Sequence, residues 1–289
     1  MADPLKTAFV VCGPTAAGKS ALSDDLADRL TVDLGVRVPT IVVDSVQVYR
    51  GLRRISNQAR RRPAELVGFV PVTGRWTMAR HRVAADAVIS TCGPSFVLDA
   101  GTGMYLNALL LDIALAPQVP QEVRERARRD SAGAPNPRRS SREMELTMVG
   151  AGERGSIWSG EPRYVTKVLY VRPERETLDR AIARRSRKIA DEGLEEAQIL
   201  HQVIREGEDV NPSVLQAVGV RELLDYLSGS VSLPEAEERI ATRTRQLARR
   251  QTRWFDKLAR SLQGRAHVSV TNDSAADHIL HTMHDTMGA

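Results

Sequence analysis

The sequence predicts an α/β fold, a parallel sheet with helices on both faces, and three observations carry that prediction. Short apolar runs of strand length recur: AFVVC at 8–12, TIVVD at 40–44, FVLDA at 96–100 and a further run at 165–171. Runs of this kind end in a polar residue at the carboxyl end, and the first opens onto a glycine-rich turn followed by a helix-period stretch at 19–30. Near-continuous apolar strands alternating with helices are the mark of a parallel sheet buried on both faces. Ligands of such sheets gather beyond the carboxyl ends of the strands, where Thr15, Asp44 and Thr102 fall.

Farther along the chain, composition shifts toward Arg, Ser, Gly and Pro between 117 and 162, with SAGAPNPRRSSRE and GAGERGSIWSGEP breaking any long period. The expectation is a core of residues 1–115 and 163–289 carrying a short insertion at 116–162, mainly helical with loop-like stretches. Helical patterns resume at 174–192, 195–206, 214–227 and 234–262. No fixed-period repeat or low-complexity tract is visible.

With 289 residues, 42% of them hydrophobic, the chain can bury a sizeable core. Its two cysteines, Cys12 and Cys92, have no zinc-ribbon or disulfide spacing. No apolar run approaches the ~18 residues of a membrane span, and the amino terminus runs into a strand pattern instead of a signal peptide. A soluble, cytoplasmic monomer is expected. The net charge is +5, from 41 Lys and Arg against 36 Asp and Glu, and the arginines cluster. Clustering favours a polyanionic partner, although a solvated arginine-rich surface explains the composition equally well.

The segment Gly13-Pro-Thr-Ala-Ala-Gly-Lys-Ser20 fits G-x-x-x-x-G-K-[ST] between a strand and a helix. The fold class expected is therefore α/β, a P-loop NTPase-like parallel sheet. Gly13, Thr15, Ala16, Ala17 and Gly18 would curl the backbone so that N–H groups and the helix start face an anion. Lys19 adds a point charge, and Ser20 can hold Mg²⁺. What such a loop recognises is a pyrophosphate, and ATP is only its commonest occupant.

GPTAAGKSAL (13–22), DSVQVYRG (44–51), GTGMYLNALL (101–110) and TRQLARRQTRWF (244–255) together resemble the tRNA dimethylallyltransferases. PNPRRSSREMEL (135–146), LDRAIARRSRKIADEGL (178–194) and QAVGVREL (216–223) continue the likeness in order. Many kinases share the phosphate loop, whereas the aspartate segment and the RQxxRWF-like tail are specific. The resemblance implies that dimethylallyl diphosphate places its diphosphate in the loop, with Mg²⁺, and that an adenosine beside the tRNA anticodon enters from the opposite side. It further implies that Asp44 is the general base and that Thr15, Lys19, Ser20, Thr102 and Arg185 are diphosphate ligands. Acceptor contacts would come from Ser45, Gln47, Tyr49, Arg138, Arg139, Arg243, Gln246, Arg250 and Arg253.

The chemistry agrees. An adenine N6 amine is conjugated into its ring, so a carboxylate must take its proton as the C–N bond forms, and the leaving diphosphate needs fixed positive charge. Each assignment has a plainer counterpart: Asp44 as a Mg²⁺ ligand or turn cap, Arg185 as a solvated helix arginine between Arg184 and Arg187, Thr102 as part of a tight turn. In the tail, Arg239, Arg243, Gln246, Arg250 and Arg253 share one helix stripe, which would suit RNA phosphates or simply solvent. His278, His281 and His284 sit near the chain end, and no zinc site is assigned to them.

The chain departs from the family where LRRISNQARRRPAEL replaces a GTAKP-like segment and VGFVPV a paired-histidine segment. Ala100 stands where the family's turn begins with glycine, and the insertion is short. These departures keep other readings open: prenylation of a free adenine nucleotide or another small amine, a small-molecule kinase, or an RNA-binding homologue without turnover.

Overall fold

The computed structural model describes residues 5–115, 117, 119–151 and 156–272. Five strands, β1 (Thr7–Cys12), β2 (Thr40–Val43), β3 (Ser95–Ala100), β4 (Val165–Val171) and β5 (His267–Thr271), form one sheet in the order β2-β3-β1-β4-β5. Every pairing is parallel, and Val10 of the central strand faces Leu98 on one side and Val168 on the other. Strand β5 at the edge was not foreseen. HVSVT alternates weakly, and all five of its residues keep some exposure, so it lacks the apolar run that betrays the other four strands.

Because side chains alternate across a strand, the two sheet faces seed separate cores. Val10, Ile41, Leu98 and Tyr170 pack with α2 (Met78–Thr91), α3 (Gly103–Leu110) and the carboxyl half of α10 (Leu233–Ser261). Phe9, Val11, Val97 and Leu169 pack with Leu22, Leu26 and Leu30 of α1 (Lys19–Leu34). A third core lies away from the sheet. There Tyr49, Leu52 and Ile55 meet α6 (Arg175–Glu192), α7 (Leu194–Arg205), α8 (Pro212–Leu215), α9 (Val220–Leu227) and Ile240 of α10. Within the region 116–162, α4 (Gln121–Asp130) and α5 (Pro137–Met148) pack on each other.

The single helix expected over 214–227 is two. Gly219 adopts φ +97, and a Cβ there would lie 2.8 Å from Ile189 Cγ2 and 3.0 Å from Ile55 Cγ2. Tertiary packing therefore demands a glycine in a left-handed turn and breaks the periodic pattern.

Candidate active site

The loop between β1 and α1 is shaped by three unusual backbone positions. Gly13 presses against β4, where a Cβ would stand 2.2 Å from the Val171 carbonyl oxygen. Ala16 takes φ +65, costly for a residue with a Cβ, and Gly18 takes φ +80 immediately before α1. The resulting curl brings Lys19 Nζ to 2.7 Å from the Pro14 carbonyl oxygen. Ser20, in the first turn of α1, donates from Oγ to Asp99 Oδ2 at 2.9 Å.

Opposite this loop, at the end of β2, Asp44 accepts from the amides of Val46 (2.8 Å) and Gln47 (3.2 Å), both through Oδ1. Its other oxygen is left for the cleft and lies against Gly101, where a Cβ would come within 2.5 Å of Oδ2. Burial pushes the Asp44 carboxyl above the ordinary carboxylate range, with the two amides and Lys19 opposing. Lys19 is lowered, chiefly by burial, with Asp99 the strongest opposing influence. Arg185 of α6 points into the same space, its guanidinium also lowered by burial and countered by Asp44. Of the neighbouring arginines, Arg187 leans instead toward Glu237 at 3.7 Å.

Thr102, expected as a diphosphate ligand, is not part of the cleft lining, because its hydroxyl is engaged with Ser45. Its Oγ1 accepts from the Ser45 amide at 3.0 Å and donates to Ser45 Oγ at 3.3 Å, coupling the β2 and β3 loops. The phosphate loop, β2 end and α6 enclose a cleft of about 530 Å³, lined among others by Lys19, Ser20, Asp44, Gln47, Asp99 and Arg185. That volume suits a small-molecule ligand. A phosphate loop, a carboxylate with one free oxygen and a half-buried arginine thus converge on one chamber. It can bind a diphosphate at one end and accept a proton at the other.

Sequence reasoning missed three contributors. Asp99 had a signal, an acid inside the apolar run FVLDA. Gln251 bridges the site, its Oε1 accepting from the Thr15 amide (2.8 Å) and its Nε2 donating to the Gly101 carbonyl (2.8 Å). Arg60 is sandwiched between Asp24 and Asp99, and nothing in the triplet Arg60-Arg61-Arg62 distinguishes it beforehand.

Two expected acceptor contacts are corrected by the fold. Tyr49 is fully buried in the third core, because its ring fills the space between the β2 loop and the helical layer, and it is no part of the cleft wall. Arg243 is bound internally, to the carboxylate of buried Glu222 and to the Gln216 carbonyl at 2.7 Å, holding α9 on α10. The arginine stripe therefore splits. Arg239 pairs with Glu235 at 2.7 Å, while Gln246, Arg250 and Arg253 line a separate groove of about 750 Å³ with Arg172 and Arg249. That groove is larger than the phosphate-loop cleft, but its aspartates Asp179 and Asp256 pair with Arg175 and Arg172 and face no phosphate loop, so the chemistry belongs to the smaller space. On α5, Arg139 is exposed and pairs with Glu143 at 2.8 Å; the Arg138 side chain and His278, His281 and His284 lie outside the described residues.

The tail's aromatic residues anchor its helix. Trp254 donates from Nε1 to Asn107 Oδ1 at 3.1 Å and lies so tightly on Gly103 that a Cβ there would be 2.1 Å from the indole. Phe255 packs on Tyr170 with ring centroids 6.0 Å apart. This docking is what carries Gln251 to the phosphate loop.

A metal would fit the donor set. The Ser20 hydroxyl donates its hydrogen bond to Asp99, leaving its lone pairs for a hard cation. Among the described residues no group of three His, Cys, Asp or Glu side chains could hold a metal alone. Mg²⁺ habitually completes its shell with water and substrate phosphates, so one or two protein oxygens suffice.

The family model for IPP transferase matches residues 47–141 and 130–258. A tRNA dimethylallyltransferase of Rubrobacter xylanophilus is 60% identical over 283 residues, covering 96% of this chain and 97% of that one. The chain belongs to the IPP transferase family. A tRNA dimethylallyltransferase of Mesorhizobium japonicum is 33% identical, covering 87% and 86%. Among solved structures, a eukaryotic dimethylallyltransferase acting on tRNA superposes with a TM-score of 0.76 at 21% identity, covering 98% of this chain and 80% of that one. The full-length tRNA isopentenylpyrophosphate transferase of Bacillus halodurans gives 0.70 at 24%, covering 98% and 95%. At these identities the structural likeness speaks to the IPP transferase fold, with its P-loop NTPase-like sheet. No helix among the described residues is long and apolar enough to cross a membrane.

Proposed function

We propose that the chain transfers a dimethylallyl group from dimethylallyl diphosphate to the exocyclic N6 amine of an adenine in tRNA, beside the anticodon, releasing diphosphate. The observation that carries this reading is the free Oδ2 of Asp44, aimed into the cleft across from the phosphate loop. The diphosphate lies against the loop amides, Lys19 and Arg185. As the N6–C1 bond forms and the C1–O bond breaks, the N6 proton passes to Asp44 and the electron pair leaves with diphosphate.

A base whose carboxyl burial raises above the ordinary carboxylate range suits that task. Ser20, with Asp99 behind it, would hold Mg²⁺; the bound ion supplies charge neutralisation for the departing group. Buried Lys19 and half-buried Arg185 stabilise the same charge as fixed donors aimed at it. Gln47, whose buried Oε1 has no partner, lines the cleft, where that oxygen can accept from the N–H of an incoming amine.

Incubating the protein with dimethylallyl diphosphate and tRNA, then analysing the nucleosides by mass spectrometry, tests the proposal. A prenylated adenosine and stoichiometric diphosphate are expected. Prenylation of a free adenine nucleotide with no product on tRNA would move the acceptor to a small molecule, and ATP-dependent phosphorylation without prenyl transfer would sink the reading.

A further inference from the structure

Beside the phosphate loop lies a buried cation that none of the steps above uses. The Arg60 side chain, 5% exposed, donates from Nη1 to Asp24 Oδ1 at 3.2 Å and from Nη2 to Asp99 Oδ2. Both carboxylates are 3% exposed. Asp24 sits one turn after Ser20 on α1, and Asp99 Oδ2 also receives the Ser20 hydroxyl. The contacts form one chain, Asp24 to Arg60 to Asp99 to Ser20, that ends on the side chain best placed for a metal.

A buried carboxylate needs partners that fix it. The planar guanidinium offers a rigid fork, able to hold two carboxylates at a set separation in a way a lysine ammonium cannot. Asp99, so pinned, can do one thing for Ser20: accept its hydrogen bond and turn its lone pairs toward the cleft. Groups behind a metal ligand commonly orient it in this manner, and losing one costs about 10–100-fold in metal affinity or activity.

We propose that Arg60 is a positioning residue for the cation edge of the donor site, pinning Asp99 so that the Ser20 hydroxyl faces the diphosphate and its Mg²⁺. This rests on the reading of the cleft as a diphosphate site. A purely structural Arg60, tying its loop to α1, would affect folding but not the response to metal.

The test is calorimetric titration of inorganic diphosphate into the full chain over a Mg²⁺ series, with melting followed by circular dichroism. Asp24→Asn combined with Arg60→Met removes the pair while leaving the net buried charge unchanged, and Arg60→Lys serves as the milder variant. For the wild type, binding should strengthen with Mg²⁺. In the double variant the half-saturating Mg²⁺ concentration should rise about 10–100-fold, while metal-free diphosphate binding, held by Lys19 and the loop amides, stays the same. Arg60→Lys should fall between, and it carries the test if the double variant does not fold. A folded variant with the wild-type response to Mg²⁺ overturns the role of Arg60 and leaves the diphosphate reading intact. A wild type that binds diphosphate without any response to Mg²⁺ overturns the proposal together with the metal assignment, and a wild type that does not bind diphosphate at all overturns the reading of the cleft itself.

Discussion

Gly101 and Asp44 touch: a Cβ on residue 101 would stand 2.5 Å from Asp44 Oδ2, the oxygen left free for proton transfer. Gly101 does not need a glycine backbone conformation, since its φ is not in the positive range. Gly101→Ala should therefore act through the carboxylate alone. A displacement approaching 1 Å costs about 10²-fold in turnover, with the melting temperature little changed. Steady-state kinetics beside a melting curve checks it; unaltered kcat would mean the Asp44 oxygen is not the reacting one.

Removing the base itself should be more severe. Asp44→Asn is expected to lower kcat by about 10²–10⁴ while donor affinity, measured by calorimetry, holds. If instead Mg²⁺-dependent donor binding vanished and turnover at saturation survived, Asp44 would be a metal ligand.

The direction of the Asp44 shift predicts a pH dependence. Asp44 works ionised, so kcat/KM should fall as pH drops through its folded-state pKa, and that limb should lie above the ordinary carboxylate value of 3.8. The sign for stability is opposite: a raised folded pKa contributes stability at low pH that is lost as pH rises through the shifted value. A kcat/KM profile whose acid limb is missing in the residual activity of Asp44→Asn would identify the group.

Lys19→Ala and Arg185→Ala should weaken donor handling instead of proton transfer. Loss of one charge stabiliser costs about 10²–10³ in rate, and Kd for inorganic diphosphate should rise with it. Normal diphosphate affinity in Arg185→Ala would place that arginine outside the donor site.

The divided arginine stripe predicts divided phenotypes. Arg250→Glu with Arg253→Glu should weaken tRNA binding and flatten its salt dependence, each lost phosphate contact removing about 0.7–0.9 from the log–log slope. Arg243→Ala should instead lower stability, by about 1–3 kcal/mol, because Glu222 is left buried with fewer partners. Equal effects of the two sets on RNA affinity, with Arg243→Ala as stable as wild type, would refute the division.

Much of the fold was legible because its signals are local. Strands β1 to β4 declare themselves as apolar runs, and helix α10 shows its period over 29 residues. Edge strand β5 escaped because it is only half covered. The break at Gly219 escaped because its cause is the distant pair Ile55 and Ile189. The site divides the same way: the phosphate loop, Asp44 and Arg185 stand in contiguous motifs, whereas Arg60 among its neighbours and Gln251 within the tail look like ordinary polar surface.

By itself, then, the sequence determined four of the sheet's strands, the anion-binding loop, the candidate base and the family, since strand burial, glycine spacing and motif order are written along the chain. Only the tertiary structure decided which polar residues converge. Thr15 and Gln251 are 236 positions apart and Arg60 and Asp99 are 39, yet each pair shares a hydrogen bond. It likewise decided that Arg243 serves a buried glutamate while Arg250 faces a groove. The physical reason is that burial and partner choice for a charged side chain depend on which distant element packs over it, and no local period encodes that.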